Sequence, residues 1–256
     1  MSDILAHRED GVLTLTFNRL DKKNAILMAM YTRLAEELEA AETDAVVRAV
    51  VIQGATEIFT AGNDLVDFMS RPPRTDSDEL PPVYRFLQVI QRFPKPIVAA
   101  VCGPAVGIGT TMLFHCDLVY AGDNAAFSLP FVNLGLCPEA GSSWLLPSLV
   151  GYHRAAEKLM LGEPFYAEEA QEMGLVTRIL PPQEVNAYAQ AQAAKLAAKP
   201  QASLIATKAL MKKAHAHVPA LIAEEGRHFG ELLVGPAARE AIGAFMQKRK
   251  PDFKGM

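Results

Sequence analysis

Apolar and polar positions alternate along "VLTLTFNR" (Val12 to Arg19), the two-residue period of a half-buried strand. The preceding "ILAH" is predicted to pair with it through a turn at "EDG", Glu9 to Gly11. From Ala25 to Thr43 the spacing becomes helical, with Met28, Tyr31, Leu34, Leu38 and Ala41 on one face. "AVVRAVVIQG" reads as a buried strand ending at Gly54, followed by a small-residue turn, "FTAGNDL". Helical spacing returns from Tyr84 to Phe93. "PIVAAVCG" is then a strand, "VGIGTTMLFHC" a turn into a helix, "DLVYAG" a strand and "AAFSLP" a short strand. Glu139 to Val150 and Tyr152 to Leu161 are predicted as consecutive helices, and "GLVTRILP" as the last strand. Beyond Pro182 the pattern is helical, with breaks near Pro200, Pro219 and Pro236. Strands alternating with helices and then helices alone predict an α/β body, residues 1–196, with an appended helical segment, 197–256.

Two stretches interrupt this pattern. "RPPRTDSDELPP" (Arg71 to Pro82) carries four prolines and five charges and reads as an exposed linker. Ile97 to Phe114 is 18 residues without a charge, long enough for a membrane span. Gly103, Pro104, Gly107 and Gly109 break it, and Lys95 and Asp117 flank it, so a buried strand, a glycine-rich turn and a buried helix are expected instead. With 256 residues, half of them hydrophobic, the chain can bury a large core. A formal charge of −4 speaks against a nucleic-acid partner, which usually calls for a basic field. Cys102, Cys116 and Cys137 lie in apolar surroundings without metal spacing, as buried thiols of a cytoplasmic protein do. The N-terminal residues carry no signal-peptide pattern, in keeping with that location.

Several groups are candidates for chemistry. "TAGND" (Thr60 to Asp64) and "GPAVGIG" (Gly103 to Gly109) each follow a predicted strand and precede a helix. Small residues admit a ligand close to the backbone, and unpaired amides there can meet a developing oxyanion; both stretches can equally be tight strand-to-helix turns. The glycine spacing of the second is not a dinucleotide fingerprint. His115, Cys116 and Asp117 are adjacent and cannot face one another as a triad, so His115 reads as a structural histidine. His215 and His217 share no helix face, and no metal site is expected. Glu139, in "LGLCPEAGSSW", is the only Asp, Glu, Lys or Arg from Asn124 through His153. It is either a first-turn acid after Pro138, favoured by the helix dipole, or a general base whose pKa is lifted by Leu134, Leu136, Phe131 and Trp144.

These elements in this order resemble the crotonase superfamily of enoyl-CoA hydratases and isomerases. The resemblance runs from "LTFNRLDKKNAI" through "FTAGNDL", the long block "KPIVAAVCGPAVGIGTTMLFHCDLVYAGDNAAFSLPFVNLGLCPEAGSSWLLP" and "GEPFYAEEAQEMGLV" to "AFMQKRKPDFKG". It implies a spiral of ββα turns, C-terminal helices that build a homotrimer or a dimer of trimers, and an acyl-CoA thioester as substrate. Coenzyme A would be part of that substrate, with no separate cofactor, metal, membrane or nucleic acid required. The resemblance assigns the oxyanion donors to the backbone amides of Asn63 and Ile108. Around them the substrate would meet Ala61, Gly62, Asp64, Leu65, Gly107, Pro130 and Leu134. The two water-handling glutamates of hydratases fall on Thr111 and Phe131, so both carboxylates are missing here. Glu139 instead resembles the single acid–base glutamate of the peroxisomal-type Δ3,Δ2-enoyl-CoA isomerases. The implied reaction moves a double bond from 3-enoyl-CoA to trans-2-enoyl-CoA. Enoyl-CoA hydration, another crotonase-type reaction and a non-catalytic acyl-CoA or partner-binding role remain the alternatives. For the nucleotide end of CoA, the resemblance points to Arg19, Lys22, Lys23 and Ala25, and to a terminal basic cluster with Phe253 and Lys254 that can come from a neighbouring subunit.

Overall fold

The computed structural model describes residues 2–70 and 80–256. Most of the expected linker, residues 71–79, lies outside them; its last residue, Pro82, opens a helix, where its fixed φ suits the first turn. The first hairpin, β1 (Ile4–Glu9) and β2 (Val12–Phe17), pairs antiparallel. Then β3 (Ala49–Gln53), β4 (Ile97–Val101), β6 (Leu118–Gly122) and β9 (Arg178–Leu180) add in parallel, giving the order β1-β2-β3-β4-β6-β9. A second, smaller sheet joins β5 (Pro104–Val106), β7 (Ala126–Ser128) and β8 (Phe165–Tyr166). β5 and β8 were not legible in the sequence: they are three and two residues long, too short for a hydrophobic period to register.

The strands of the large sheet are apolar on both faces because both are covered. Leu13, Leu15, Phe17, Val50, Ile52, Ala99 and Val101 point into the main core. Val12, Ala49, Val51, Val98, Ala100, Cys102 and Tyr120 point the other way, onto α8 (Pro182–Ala197). That helix meets the sheet with Val185, Ala189, Ala193 and Ala197, a four-residue repeat whose small side chains let helix and sheet approach closely. On the main-core side lie α1 (Met28–Thr43), packed against α3 (Pro82–Arg92), and the short α2 (Leu65–Ser70). The 97–114 stretch divides into β4, β5, α4 (Ile108–Thr111) and the start of a 3-10 turn (Met112–His115). Among the described residues no helix is long and apolar enough to cross a membrane. After α5 (Ser142–Val150), α6 (Tyr152–Ala156) with its π-helical extension (Glu157–Leu161), and α7 (Ala167–Glu172), the chain ends in α9 (Gln201–Lys212), α10 (Val218–Leu233) and α11 (Pro236–Met246).

Several predicted bounds shift; the last strand, expected from Gly174, begins at Arg178. The helix expected from Ala25 begins at Met28, because Ile26 is drawn into a parallel bridge with Asn63. The strand expected from Ala45 begins at Ala49. Glu139 precedes α5 by three residues rather than opening it, so it is not a first-turn acid. Successive passes of the chain each contribute a strand to the large sheet, then a strand or bridge to the second layer, then a helix. The second layer is continuous in this way: Ile26 bridges Asn63, Thr60 bridges Ala105, and β5 pairs with β7. The two candidate turns are therefore laid side by side by backbone hydrogen bonds.

Close backbone contact at these turns depends on glycine. Gly103 sits at φ +62°, and a Cβ there would lie 1.9 Å from the Glu57 carbonyl oxygen. Gly174 also has a positive φ, +82°, but its Cβ would make only ordinary contact with Leu149. Gly103→Ala is expected to destabilise the protein by about 3 kcal/mol and Gly174→Ala by about 1, read from urea midpoints. Equal losses would mean that backbone strain alone, and not the crossing of the turns, governs Gly103.

Candidate active site

The turn at Thr60–Asp64 is fastened from below. The Asn24 side chain, itself buried, donates to the carbonyls of Ile58 and Phe59, and the Thr60 hydroxyl donates to the Asn24 carbonyl at 2.6 Å. The Thr60 hydroxyl oxygen also accepts from the Gly62 amide. Gly62, at φ +84°, is pressed against the Val106 carbonyl, where a Cβ would come within 2.8 Å. Ile26 exchanges hydrogen bonds with Gly62 and Asp64, on either side of Asn63. The Asn63 amide itself is left without an acceptor among the described residues. Its side-chain oxygen accepts from the Tyr31 hydroxyl at 2.5 Å, which fixes the residue. The Asp64 carboxylate accepts from Arg19 at 2.9 Å and from the amides of Val66 and Asp67, opening α2. Burial alone would raise the Asp64 carboxyl; the Arg19 bond and those two amides hold it below the ordinary carboxylate range.

The second turn shows the same economy. The Gly107 amide donates to the Ser128 carbonyl, and the Gly107 carbonyl accepts from the amides of Thr110 and Thr111. Ile108, the first residue of α4, has no acceptor for its amide among the described residues, as expected of a helical first turn. Two unpaired backbone donors thus come from adjacent turns.

Glu139 completes the arrangement. It is 8% exposed, and its carboxylate makes one hydrogen bond: Oε1 accepts from the Thr111 hydroxyl at 2.5 Å, while Oε2 is buried without a partner. Burial pushes its pKa up to about 8, with the Thr111 bond acting against the rise and the nearby Glu225 carboxylate adding to it. Glu139, Asn63 and Ile108 line one small cavity of about 20 Å³ whose other walls are Phe68, Val83, Tyr84, Leu87 and Phe229. The expectation that Phe131, Leu134, Leu136 and Trp144 supply this apolar wall is corrected: the first three line a neighbouring groove instead, and Trp144 is 45% exposed and stacks edge-on against His217. The wall comes from α2, α3 and α10, which the local sequence around Glu139 could not reveal.

Asn63, Ile108, Phe68 and Phe229 also line a larger groove of about 460 Å³. Of the residues singled out in the sequence, Lys22, Ala25, Ala61, Gly62, Asp64, Leu65, Gly107, Pro130, Phe131 and Leu134 line this groove. Thr111 lies behind it, fully buried, as the donor to Glu139. Lys23 holds the first turn through its carbonyl, which accepts from the Ala61 amide. In the single chain Lys23, Phe253 and Lys254 are not among the residues lining the groove, and Phe245 and Met246 of α11 are. Sequence reasoning missed Glu225. Its signal was present: Val218, Ile222, Glu225, Phe229 and Leu233 share the buried stripe of α10, and a carboxylate in such a stripe is rarely idle. His115 is the structural residue expected. It is buried and its Nε2 donates to the Ala140 carbonyl at 2.8 Å, with burial pushing its pKa down to about 3. The three cysteines are free thiols, Cys102 buried and the others partly so.

Comparison with known proteins follows from this geometry. The sequence model of the family described as enoyl-CoA hydratase/isomerase matches residues 7–256. The chain is 38% identical to the 2,3-dehydroadipyl-CoA hydratase of Escherichia coli over the whole of both chains. It is 39% identical to the enoyl-CoA delta isomerase 2 of Rattus norvegicus, over 82% of this chain and 54% of that one. The solved structure of Pseudomonas aeruginosa OdaA superposes with a TM-score of 0.92 at 46% identity, covering 96% of this chain and 99% of that one.

The elevated Glu139 pKa has a consequence for stability. Between about pH 5 and pH 8 the unfolded chain has ionised Glu139 while the native state keeps it protonated, so the native state binds more protons. Stability therefore falls as pH rises through this window and levels above it. Glu139→Gln removes the effect: near wild type in stability at pH 5, it is expected to exceed wild type by several kcal/mol at pH 9 in urea unfolding. A gap that does not change with pH would show that the native carboxyl titrates normally.

Proposed function

The chain belongs to the enoyl-CoA hydratase/isomerase family, and from that premise we propose that it is a Δ3,Δ2-enoyl-CoA isomerase. Its ββα spiral with C-terminal helices is the crotonase-like fold of that family. The observation that carries the finer reading is a single carboxylate, Glu139, in one small cavity with two residues whose backbone amides are unpaired, while Thr111 and Phe131 hold no carboxyl group.

The substrate is a 3-enoyl-CoA. Its thioester oxygen accepts hydrogen bonds from the amides of Asn63 and Ile108. Glu139, through Oε2, removes a proton from C2; the C2–H electrons form a C1=C2 bond as the C1=O π pair moves onto the oxygen between the two amides, and when C4 is protonated the oxygen pair re-forms C1=O, C1=C2 shifts to C2=C3 and the C3=C4 pair takes the proton. The carboxyl then returns the proton at C4, giving trans-2-enoyl-CoA. Atoms and charge balance with one acid–base group, and no electron acceptor is needed. With its pKa raised to about 8, Glu139 in its ionised form, the minor one at neutral pH, is a stronger base toward C2 than an ordinary carboxylate. The apolar wall of Phe68, Val83, Leu87 and Phe229 keeps bulk water from competing for it. Hydration, the reaction named for the Escherichia coli relative, requires a water held for attack on C3. Thr111 spends its hydroxyl on Glu139 and Phe131 offers no acceptor, which supports isomerisation over hydration.

In this reading Lys22, which lines the groove, meets the CoA phosphates. Lys23 joins Lys22 in this reading, and Phe253 and Lys254 join it as contributions from a neighbouring subunit in a homotrimer or dimer of trimers.

Incubating the purified protein with a 3-enoyl-CoA should generate the conjugated thioester absorbance, and Glu139→Gln should lower kcat by about 10² to 10⁴. Crotonyl-CoA should lose that absorbance far more slowly. Faster hydration than isomerisation, or a Glu139→Gln variant at wild-type rate, would overturn the reading.

A further inference from the structure

The segment that carries Glu139 is strained. Ala140, a residue with a Cβ, sits at φ +61°, and Gly141 follows at +74°. Two consecutive left-handed residues persist only where neighbours determine them. Three elements do so. On one side His115 donates to the Ala140 carbonyl. From α4, Thr111 donates to Glu139 Oε1. From the buried stripe of α10, Glu225 accepts three bonds: Oε2 from the Gly141 amide at 2.6 Å, and Oε1 from the Ser143 amide at 3.1 Å and the Ser143 hydroxyl at 2.5 Å. Glu225 thus caps α5 from a different helix, whose own first-turn residues give no side-chain cap. It is 6% exposed and has no ion-pair partner among the described residues. Such a carboxylate could be replaced by a neutral acceptor if capping were its whole role.

We infer that Glu225 and Thr111 are positioning residues that aim Glu139 Oε2 into the cavity and act on its proton affinity in opposite directions. Burial raises the Glu225 carboxyl against its bonds from Ser143 and Gly141, and in its ionised form it adds negative charge that favours the protonated Glu139; Thr111 contributes a hydrogen bond, which favours the carboxylate. The other titratable groups facing Glu139 are Tyr31 from α1, Tyr84 from α3 and Cys137 from its own loop. Burial holds all three neutral at ordinary pH: Tyr31 is raised well above its usual value, Tyr84 to about 12 and Cys137 to about 11. His115 is neutral as well, and Glu224, beside Glu225 on α10, bears on Glu225. That leaves Glu225 as the neighbouring charge, and the two effects at Glu139 can be separated by substitution.

The inference rests on Glu139 as the acid–base group, and its test includes a readout independent of turnover. In protein labelled with 13C at glutamate carboxyls, the Glu139 signal is the one missing from Glu139→Gln, and its titration is followed without substrate. Thr111→Val should move the midpoint up and lower kcat about tenfold, the loss expected of one hydrogen bond to a charged group. Thr111→Ser should restore both. Glu225→Gln, which keeps an acceptor oxygen but no charge, should move the midpoint down. Should that variant not fold, Ser143→Ala takes its place: with one donor fewer, Glu225 holds its proton more tightly and the Glu139 midpoint again falls. Unshifted midpoints, or shifts in one direction for Thr111→Val and the Glu225 change, overturn the inference. If the midpoints shift as stated but no 3-enoyl-CoA is turned over, the isomerase reading fails and the positioning stands.

Discussion

A carboxylate held out of water with one hydrogen bond is the constraint around which this structure is arranged. An unpaired buried charge costs several kcal/mol or is neutralised by a proton, and Glu139, with its pKa raised to about 8, takes the second course at neutral pH. Nothing in the loop at 134–144 could hold it there. The Ala140 and Gly141 backbone is left-handed, α5 begins three residues later, and the local apolar side chain at Trp144 turns outward. What keeps Glu139 inside is supplied from a distance: Thr111 from α4, His115 from the turn after it, and Glu225 from α10.

The side that carries the two unpaired amides is built by a different economy. Backbone hydrogen bonds stitch Ile26, Thr60 and Ala105 into one continuous second layer, and the amides of Gly62, Asp64 and Gly107 are paired while those of Asn63 and Ile108 are not. An unpaired buried donor is expensive, so it persists where the surrounding pairings fix the backbone. Asn24, Thr60 and Tyr31 do that fixing through side chains that never reach the groove's chemistry themselves. In the proposed isomerisation, a preorganised pair of amides and a preorganised carboxyl would need no rearrangement as charge develops between them.

Within the enoyl-CoA hydratase/isomerase family this scaffold is shared, and in the proposed reading a few side chains decide between hydration and isomerisation. Thr111 illustrates how such a change alters the site. Where a carboxylate there would face water, a hydroxyl instead donates to Glu139, satisfying one of its oxygens and leaving the other free.

Much of the fold could be read from the chain. Period-two alternation from Val12, the unbroken apolar runs at Val50 and Ile97, and the prolines that begin α8 and α11 are local signals, and they fell where expected. The candidate turns and the isolation of Glu139 were also legible, because small residues and a lone charge stand out in one dimension. β5, β8 and the early bridge at Ile26 were not, being too short to carry a period. The sequence by itself determined which residue types were available: two glycine-bearing turns, one solitary acid, no second carboxylate at 111 or 131. Only the tertiary structure decided their environment, since Glu139 is 28 residues from Thr111 and 86 from Glu225, and burial, hydrogen bonding and charge act through space, not along the chain.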